Sequence, residues 1–226
     1  MEALLENDQV RDQVVDLLTE HVEILETNQL QAYSPYDYQR KFHAGKDEQG
    51  GIARQRMLMA GNKTGKTYCG AMELAYHLTG LYPDWWEGNR FDKPIKAWAA
   101  GNTSNNTRDI VQSELLGEPG DPEEFGKGAI PKHLIVSTER QPGVPNAIAQ
   151  VVVKHISGRN SKLQLKSYEQ GKQAWMGTAV QCCWLDEEPP QDIYSQALRA
   201  SLKTGGLVFM TFTPESGLTD VCAQFM

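Results

Sequence analysis

The chain has 226 residues, 40 % of them hydrophobic and 23 % charged, with 22 Lys+Arg against 29 Asp+Glu. That is a globular composition, long enough to bury a full core, and it excludes a disordered or fibrous chain. The net charge of −7 is local: eight acids (Glu2, Glu6, Asp8, Asp12, Asp16, Glu20, Glu23 and Glu26) and one base (Arg11) lie within residues 1–27, so the remainder is neutral and an anionic partner is not excluded for it.

Residues 3–25 carry apolar positions at three- and four-residue steps (Leu4, Val14, Leu17, Leu18, Val22, Leu25), which predicts an amphipathic helix with an acidic outer face. It reads as a packing or docking element. Ser34-Pro35-Tyr36-Asp37-Tyr38-Gln39-Arg40-Lys41-Phe42 reads as a second helix with Ser34 as N-cap and Pro35 at its first position. A strand at Arg56–Ala60 is followed by the loop Gly61-Asn62-Lys63-Thr64-Gly65-Lys66-Thr67 and a helix from Tyr68 to Leu78 that ends at Gly80. A strand at Ile95–Ala100 turns through Gly101–Arg108 into a helix reaching Leu116, and Gly117–Gly128 reads as a surface excursion. Two strands, Ala147–His155 and Ser161–Tyr168, form a hairpin about Ser157-Gly158-Arg159-Asn160. A buried strand follows at Val180–Leu185, then a helix after Pro190 and a last strand at Gly206–Phe212. Strands alternating with helices specify an α/β fold around a mainly parallel sheet flanked by helices.

No apolar run approaches the length that crosses a bilayer, and Met1–Glu6 lacks the basic and apolar stretches of a secretory leader. Cys69, Cys182, Cys183 and Cys222 are spaced for neither a zinc module nor a disulfide framework, so they read as buried thiols. A soluble intracellular protein is the expectation.

Four segments carry chemistry. The strand–loop–helix unit around residues 60–67 reads as a P-loop, where unpaired backbone N–H groups and a helix N-terminus wrap a phosphate. There Lys66 would reach the β- and γ-phosphates and Thr67 would ligate Mg²⁺; the first glycine position is Ala60, with Gly61 one place later. The strand Val180–Leu185 runs into Asp186-Glu187-Glu188. Asp186 suits the Walker B role of holding Mg²⁺, and Glu187 that of a base or positioner for the attacking water. The long interval between Lys66 and Asp186 leaves room for at least one extra strand between the two nucleotide-binding strands. Thr211 and Thr213, at the end of the last strand, would sit at the carboxyl edge of the sheet and sense the γ-phosphate. Gln39 can donate to and accept from an adenine edge, with Tyr36, Tyr38 or Phe42 available to stack.

Taken in order, Pro35-x-x-x-Gln39, Ala60-Gly61-Asn62-Lys63-Thr64-Gly65-Lys66-Thr67, Trp184-Leu185-Asp186-Glu187-Glu188-Pro189 and Thr211-Phe212-Thr213-Pro214 resemble the ATPase domain of tailed-bacteriophage large terminase subunits. The similarity spans residues 33–215, and Gly171-Lys172-Gln173-Ala174-Trp175-Met176-Gly177 shares it. The resemblance implies a P-loop NTPase fold of the ASCE type, with an additional catalytic glutamate. It also implies ATP and Mg²⁺ as cofactors and an ATPase that drives double-stranded DNA into a procapsid. The four motifs correspond to adenine-binding, Walker A, Walker B with the catalytic Glu187, and coupling motifs. Cofactor contacts then fall to Gln39, Gly61, Asn62, Lys63, Thr64, Gly65, Lys66, Thr67, Thr211 and Thr213, metal contacts to Thr67 and Asp186, and catalysis to Lys66 and Glu187. Portal protein, small terminase subunit and further copies in a ring are the implied partners, with no membrane, in the cytoplasm of an infected host and docked at the procapsid.

Two departures stand out. Where some relatives carry a loop arginine, this chain has Asn62 and Lys63, so an arginine finger would come from elsewhere, with Arg108, Arg140, Arg159 and Arg199 as candidates. Relatives also continue into a nuclease domain. The expected organisation is therefore an N-terminal helix and linker (1–32), an ATPase domain (33–215) and the start of a lid or linker (216–226), with the sequence reading as a truncation before the nuclease. Lys154, Arg159, Lys162, Lys166 and Lys172 form a candidate DNA surface. The competing readings are a helicase- or repair-type P-loop translocase and a non-enzymatic, nucleotide-gated scaffold.

Overall fold

The computed structural model describes residues 8–214, 219 and 221–225. Residues 216–218, 220 and 226 of the expected lid or linker at 216–226, and the first turn of the expected N-terminal helix, lie outside the described residues. The elements in chain order are α1 (Asp8–Thr27), α2 (Gln29–Ala32), α3 (Asp37–Ala44), β1 (Gln55–Met59), α4 (Lys66–Thr79), β2 (Lys96–Gly101) and α5 (104–116), the last containing a π-helical stretch at Thr107–Gln112. After them come β3 (Ile135–Arg140), β4 (Ile148–Lys154), β5 (Asn160–Ser167), β6 (Cys182–Asp186), α6 (Gln191–Leu202) and β7 (Leu207–Phe212).

Seven strands form one sheet in the order β1-β7-β6-β2-β5-β4-β3. The five strands from β1 to β5 along this order are mutually parallel, while β4 pairs antiparallel with both β5 and β3. The central strands are buried on both faces, as parallel strands between helices must be. Along β6, Cys182 and Trp184 face the α4 side, while Cys183 and Leu185 join the α6 side with Val208, Met210 and Phe212 of β7. Gly70 of α4 lets that helix press on the sheet: a Cβ there would meet the Trp184 ring at 2.6 Å.

Three expectations need correction. One strand does separate β1 from β6, but it is β7, which follows the second carboxylate motif; the strands made by the long interval extend the sheet beyond β6 instead. Helix α3 begins at Asp37, not at Pro35, because the Gln39 side chain accepts the Tyr36 N–H at 2.9 Å and places the helix start there. Strand β3 was not expected: it is an edge strand exposed over nearly its whole length, so its residues show no period-two burial pattern.

On α1 the apolar positions Val14, Val15, Leu17, Leu18 and Val22 are all exposed, so that face packs on no part of the described chain. The four cysteines are free and buried, as their spacing suggested.

Candidate nucleotide-binding site

The loop from Gly61 to Gly65 leaves β1 at its carboxyl end and delivers the chain into α4. It turns through left-handed backbone at Lys63 (φ 59°) and Gly65 (φ 78°), the second being the residue before the helix. Thr64 Oγ1 and Lys66 Nζ both donate to the Gly61 carbonyl, at 2.9 and 2.7 Å, so the loop closes on itself. Lys66 is almost wholly buried while Gly61 to Gly65 are exposed. A buried ammonium beneath an open ring of backbone at a helix N-terminus is an arrangement that favours a phosphate.

Asp186 ends β6 two strands away and is 3 % exposed. Thr211 Oγ1 of the intervening β7 donates to Asp186 Oδ1 at 2.7 Å, and Trp184 Nε1 donates to Thr211 Oγ1 at 2.8 Å. The Thr67 hydroxyl lies close enough to this carboxylate to favour its charged form. Burial pushes the Asp186 pKa up to about 7, and the nearby Glu187 charge adds to the rise, while the Thr211 and Thr67 hydroxyls oppose it. A carboxylate that resists ionisation in a dry pocket is what a divalent cation would stabilise. The donors here, Thr67 and Asp186, are all oxygen, as a hard ion such as Mg²⁺ prefers, so the residues fit the expected metal.

Glu187 has φ 61°, a conformation that costs a non-glycine residue of order 1–3 kcal/mol. Its N–H donates to the Thr211 carbonyl at 2.8 Å, and its Oε2 accepts from the Thr213 N–H at 3.4 Å. Thr213 Oγ1 donates to Asn62 Oδ1 at 2.9 Å. The end of β7 therefore touches the P-loop, Asp186 and Glu187 at once. Tyr168, a residue not singled out from the sequence, lies beneath with its hydroxyl 3.0 Å from the carbonyls of both Asp186 and Glu187. Nothing in its local pattern separates it from an ordinary buried aromatic.

Gln39, expected to meet an adenine edge, lies against the P-loop with its amide turned inward. It accepts from Tyr36 N and donates to the Gly65 carbonyl at 3.2 Å. Its contact to the site is thus through the loop backbone. Of the aromatic candidates, Phe42 is buried in the core, while Tyr36 is 69 % exposed and stacks on Tyr38, with the rings 6.0 Å apart and 9° from parallel. Tyr38 Oη donates to the Thr64 carbonyl, which fixes this ring pair to the rim of the loop.

A second polar cluster, also not anticipated, supports α4 from behind. Glu73 is fully buried and bonds Arg56 of β1 at 2.5 Å, His43 of α3 at 2.6 Å and His77 at 3.0 Å. Tyr33 Oη lies 3.0 Å from His43 Nε2, Tyr82 Oη lies 3.0 Å from His77 Nδ1, and the Phe91 N–H donates to Tyr82 at 2.8 Å. Each histidine thus faces the carboxylate through one ring nitrogen and a tyrosine hydroxyl through the other. Burial alone would raise the Glu73 pKa, but the Arg56 charge and the histidine hydrogen bonds hold it well below the usual range. His43 and Gln39 lie one helical turn apart, so α3 is bonded to the P-loop unit at two successive turns.

The description "Terminase large subunit, T4likevirus-type, N-terminal" fits residues 57–226, three quarters of the chain. The chain belongs to the terminase large-subunit family. Its whole length aligns at 35 % identity with the large terminase subunit of Salmonella phage P22, of which it covers 48 %. In structure it is similar to the large terminase of the thermophilic bacteriophage D6E, with a TM-score of 0.52, 11 % identity, and 80 % of this chain superposed on 40 % of that one. The chain thus spans about half the length of the terminase relatives it matches, and the shared fold is that of a P-loop NTPase.

The four arginines considered as fingers lie apart from one another. Arg108 is paired with Asp109 at 2.6 Å and donates to the Pro145 carbonyl. Arg140 ends the outer strand β3, Arg159 lies in the turn before β5, and Arg199 is in the last turn of α6. Arg159 and Arg199 therefore sit at the amino edge of the sheet, opposite the P-loop. Of the candidate DNA cations, Lys166 is withdrawn: its ammonium packs over Trp98 at 4.9 Å and Trp175 at 5.7 Å and donates to the Ala174 carbonyl.

Proposed function

We propose that this chain is the ATP-hydrolysing motor portion of a large terminase subunit, driving double-stranded DNA into a procapsid in a ring of like subunits. The observation that carries the reading is the convergence on β7, whose two threonines bond Asp186 and Asn62 while its backbone bonds Glu187. A strand end joined to the phosphate loop and to both acids responds to what the loop holds, which a coupling element must do.

Lys66 supplies positive charge to the β- and γ-phosphates and to the charge that develops as the γ-phosphoryl leaves. To do so it exchanges the Gly61 carbonyl for phosphate oxygen. Thr67 and Asp186 would hold Mg²⁺, which would supply positive charge to offset that of the phosphates. Glu187, released from the Thr213 N–H, orients water for in-line attack and accepts its proton. Tyr36 provides the exposed ring on which a purine can stack. Portal protein and small terminase subunit are partners of this reading, and the infected host's cytoplasm its setting. Family membership favours it over a helicase-type translocase.

The Glu187→Gln variant tests it. It keeps nucleotide affinity, measured with a fluorescent ATP analogue, and loses turnover by about 10²–10⁴-fold. Hydrolysis at the wild-type rate removes Glu187 from the chemistry.

A further inference from the structure

The two sides of the sheet are finished differently. On one, Leu163 and Leu165 of β5 and Val151 and Val153 of β4 are buried under α4 and α5. On the other, α6 and the Trp175 loop cover β7, β6 and part of β2. Beyond them the same side of β5, β4 and β3 bears Lys162, Lys154, Ser137 and Glu139, all exposed, and Gln164, Gln150 and Val152, half-buried. A broad sheet face is left open there among the described residues.

Its charges are placed by register. Lys96 of β2 and Lys162 of β5 are direct partners on neighbouring strands, so their side chains leave the same face about 4.8 Å apart at the backbone. Like charges set directly opposite each other across strands cost stability. Lys154 follows on β4, opposite Asn160, with Arg159 in the adjoining turn. At the other flank, Arg199 and Lys203 of the α6 end line a groove with Trp175 and Met176. All six cations are exposed and none forms an ion pair with a described residue. The acid on the open face, Glu139, lies toward the carboxyl end and accepts from Gln150 Nε2 at 2.9 Å.

We propose that this open face, from Arg199 and Lys203 across Lys96 and Lys162 to Lys154 and Arg159, is a contact surface for the phosphate backbone of double-stranded DNA. The inference rests on the motor reading for its choice of polyanion and adds the place of contact. Lysines on flexible stems neutralise phosphates without reading bases, and the cations are spread over β2, β4, β5 and the end of α6, a span suited to a duplex rather than to an extended peptide. It lies toward the amino edge of the sheet, away from the P-loop, so duplex and nucleotide do not compete for it.

The test uses this chain with Lys96→Glu and Lys162→Glu together, against a charge-matched control, Lys46→Glu with Lys132→Glu, on other surfaces. Binding to duplexes of two unrelated sequences is read by fluorescence anisotropy across a salt series, with ATPase measured with and without DNA and self-association by sedimentation. The proposal expects at least tenfold weaker binding to both duplexes and a log K–log salt slope shallower by about 0.9 for each phosphate that is no longer neutralised. Unchanged ATPase without DNA shows that the variant is folded. Equal binding by variant and wild type overturns it, as does a loss of self-association with DNA affinity intact, which would make the face a subunit interface. If wild-type ATPase ignores DNA while the variant still loses affinity, the face stands and the motor reading falls.

Discussion

Two buried carboxylates, Glu73 of α4 and Asp186 of β6, have been given opposite treatment. Glu73 is enclosed by Arg56, His43 and His77, and its pKa is held well below the ordinary value. Asp186 receives only hydroxyl hydrogen bonds, has no cation against it, and is pushed up to about 7. The first is a closed ionic cluster that ties α3, β1 and α4 together. The second carries unmet demand for positive charge, which is how a binding site differs from a structural joint. Burial is nearly equal in the two, so what surrounds the carboxylate decides its role.

The largest effects should fall where that demand is met. Asp186→Asn is expected to reduce ATP turnover by about 10²–10³-fold, the cost of removing a single group that organises transition-state charge. Yet the same change should raise the melting temperature in metal-free buffer at pH 8. The sign follows from linkage. The folded-state pKa of Asp186 lies above its ordinary 3.8, so the destabilisation builds as pH rises from about 4 to about 7 and is complete above that. At roughly 1.4 kcal/mol per unit the full penalty is about 4 kcal/mol. The stabilisation by asparagine should therefore be larger at pH 8 than at pH 5, and magnesium with nucleotide should stabilise wild type more than the variant. A variant less stable than wild type at pH 8 would mean that the acid is structurally paired and that the contrast with Glu73 is false.

Glu73→Ala should do the reverse: destabilise the fold by about 3–5 kcal/mol, because it leaves Arg56 buried without its partner. The contribution of Glu73 is present above the ordinary carboxylate pKa of 4.5 and is lost as pH falls below it toward the depressed folded-state value. Denaturant titrations should thus show variant and wild type converging in strong acid and diverging above about pH 5. An unchanged midpoint at pH 7 would remove Glu73 from the joint.

The difference between these two acids also marks what the sequence could disclose. Lys66, Thr67, Asp186 and Glu187 were legible as candidates because their pattern is local: a glycine loop between strand and helix, and acids at the end of an apolar run. The β4–β5 hairpin was legible from alternation and a Ser-Gly-Arg-Asn turn. Glu73 was not, since its partners Arg56 and His43 lie on two other elements and only tertiary packing brings them together. The insertion of β7 between β1 and β6 is likewise a matter of strand order, to which hydrophobic pattern is blind. Gln39 was read as an adenine contact, and the inward turn of its amide depends on a carbonyl 26 residues away. Lys166 looked like one cation among five because nothing in Lys-Leu-Gln-Leu-Lys reveals the two indoles above it.

The smallest effect concerns the link between the acids and the strand that separates their motifs. Thr211 Oγ1 accepts from Trp184 and donates to Asp186, so Thr211→Val keeps shape and removes both bonds. The indole N–H would be left buried and unpaired, at a cost of about 1–3 kcal/mol. Asp186 would lose a hydrogen bond that favours its charged form, moving its pKa further upward and shifting any stabilisation by acid to higher pH. Turnover should fall less than for Asp186→Asn, and nucleotide affinity should weaken most below pH 7, where the acid must give up a proton to serve. A pH profile of nucleotide affinity identical to wild type would show that Thr211 supports Trp184 alone, and that the path from β7 to the phosphate site runs through Thr213 and Asn62.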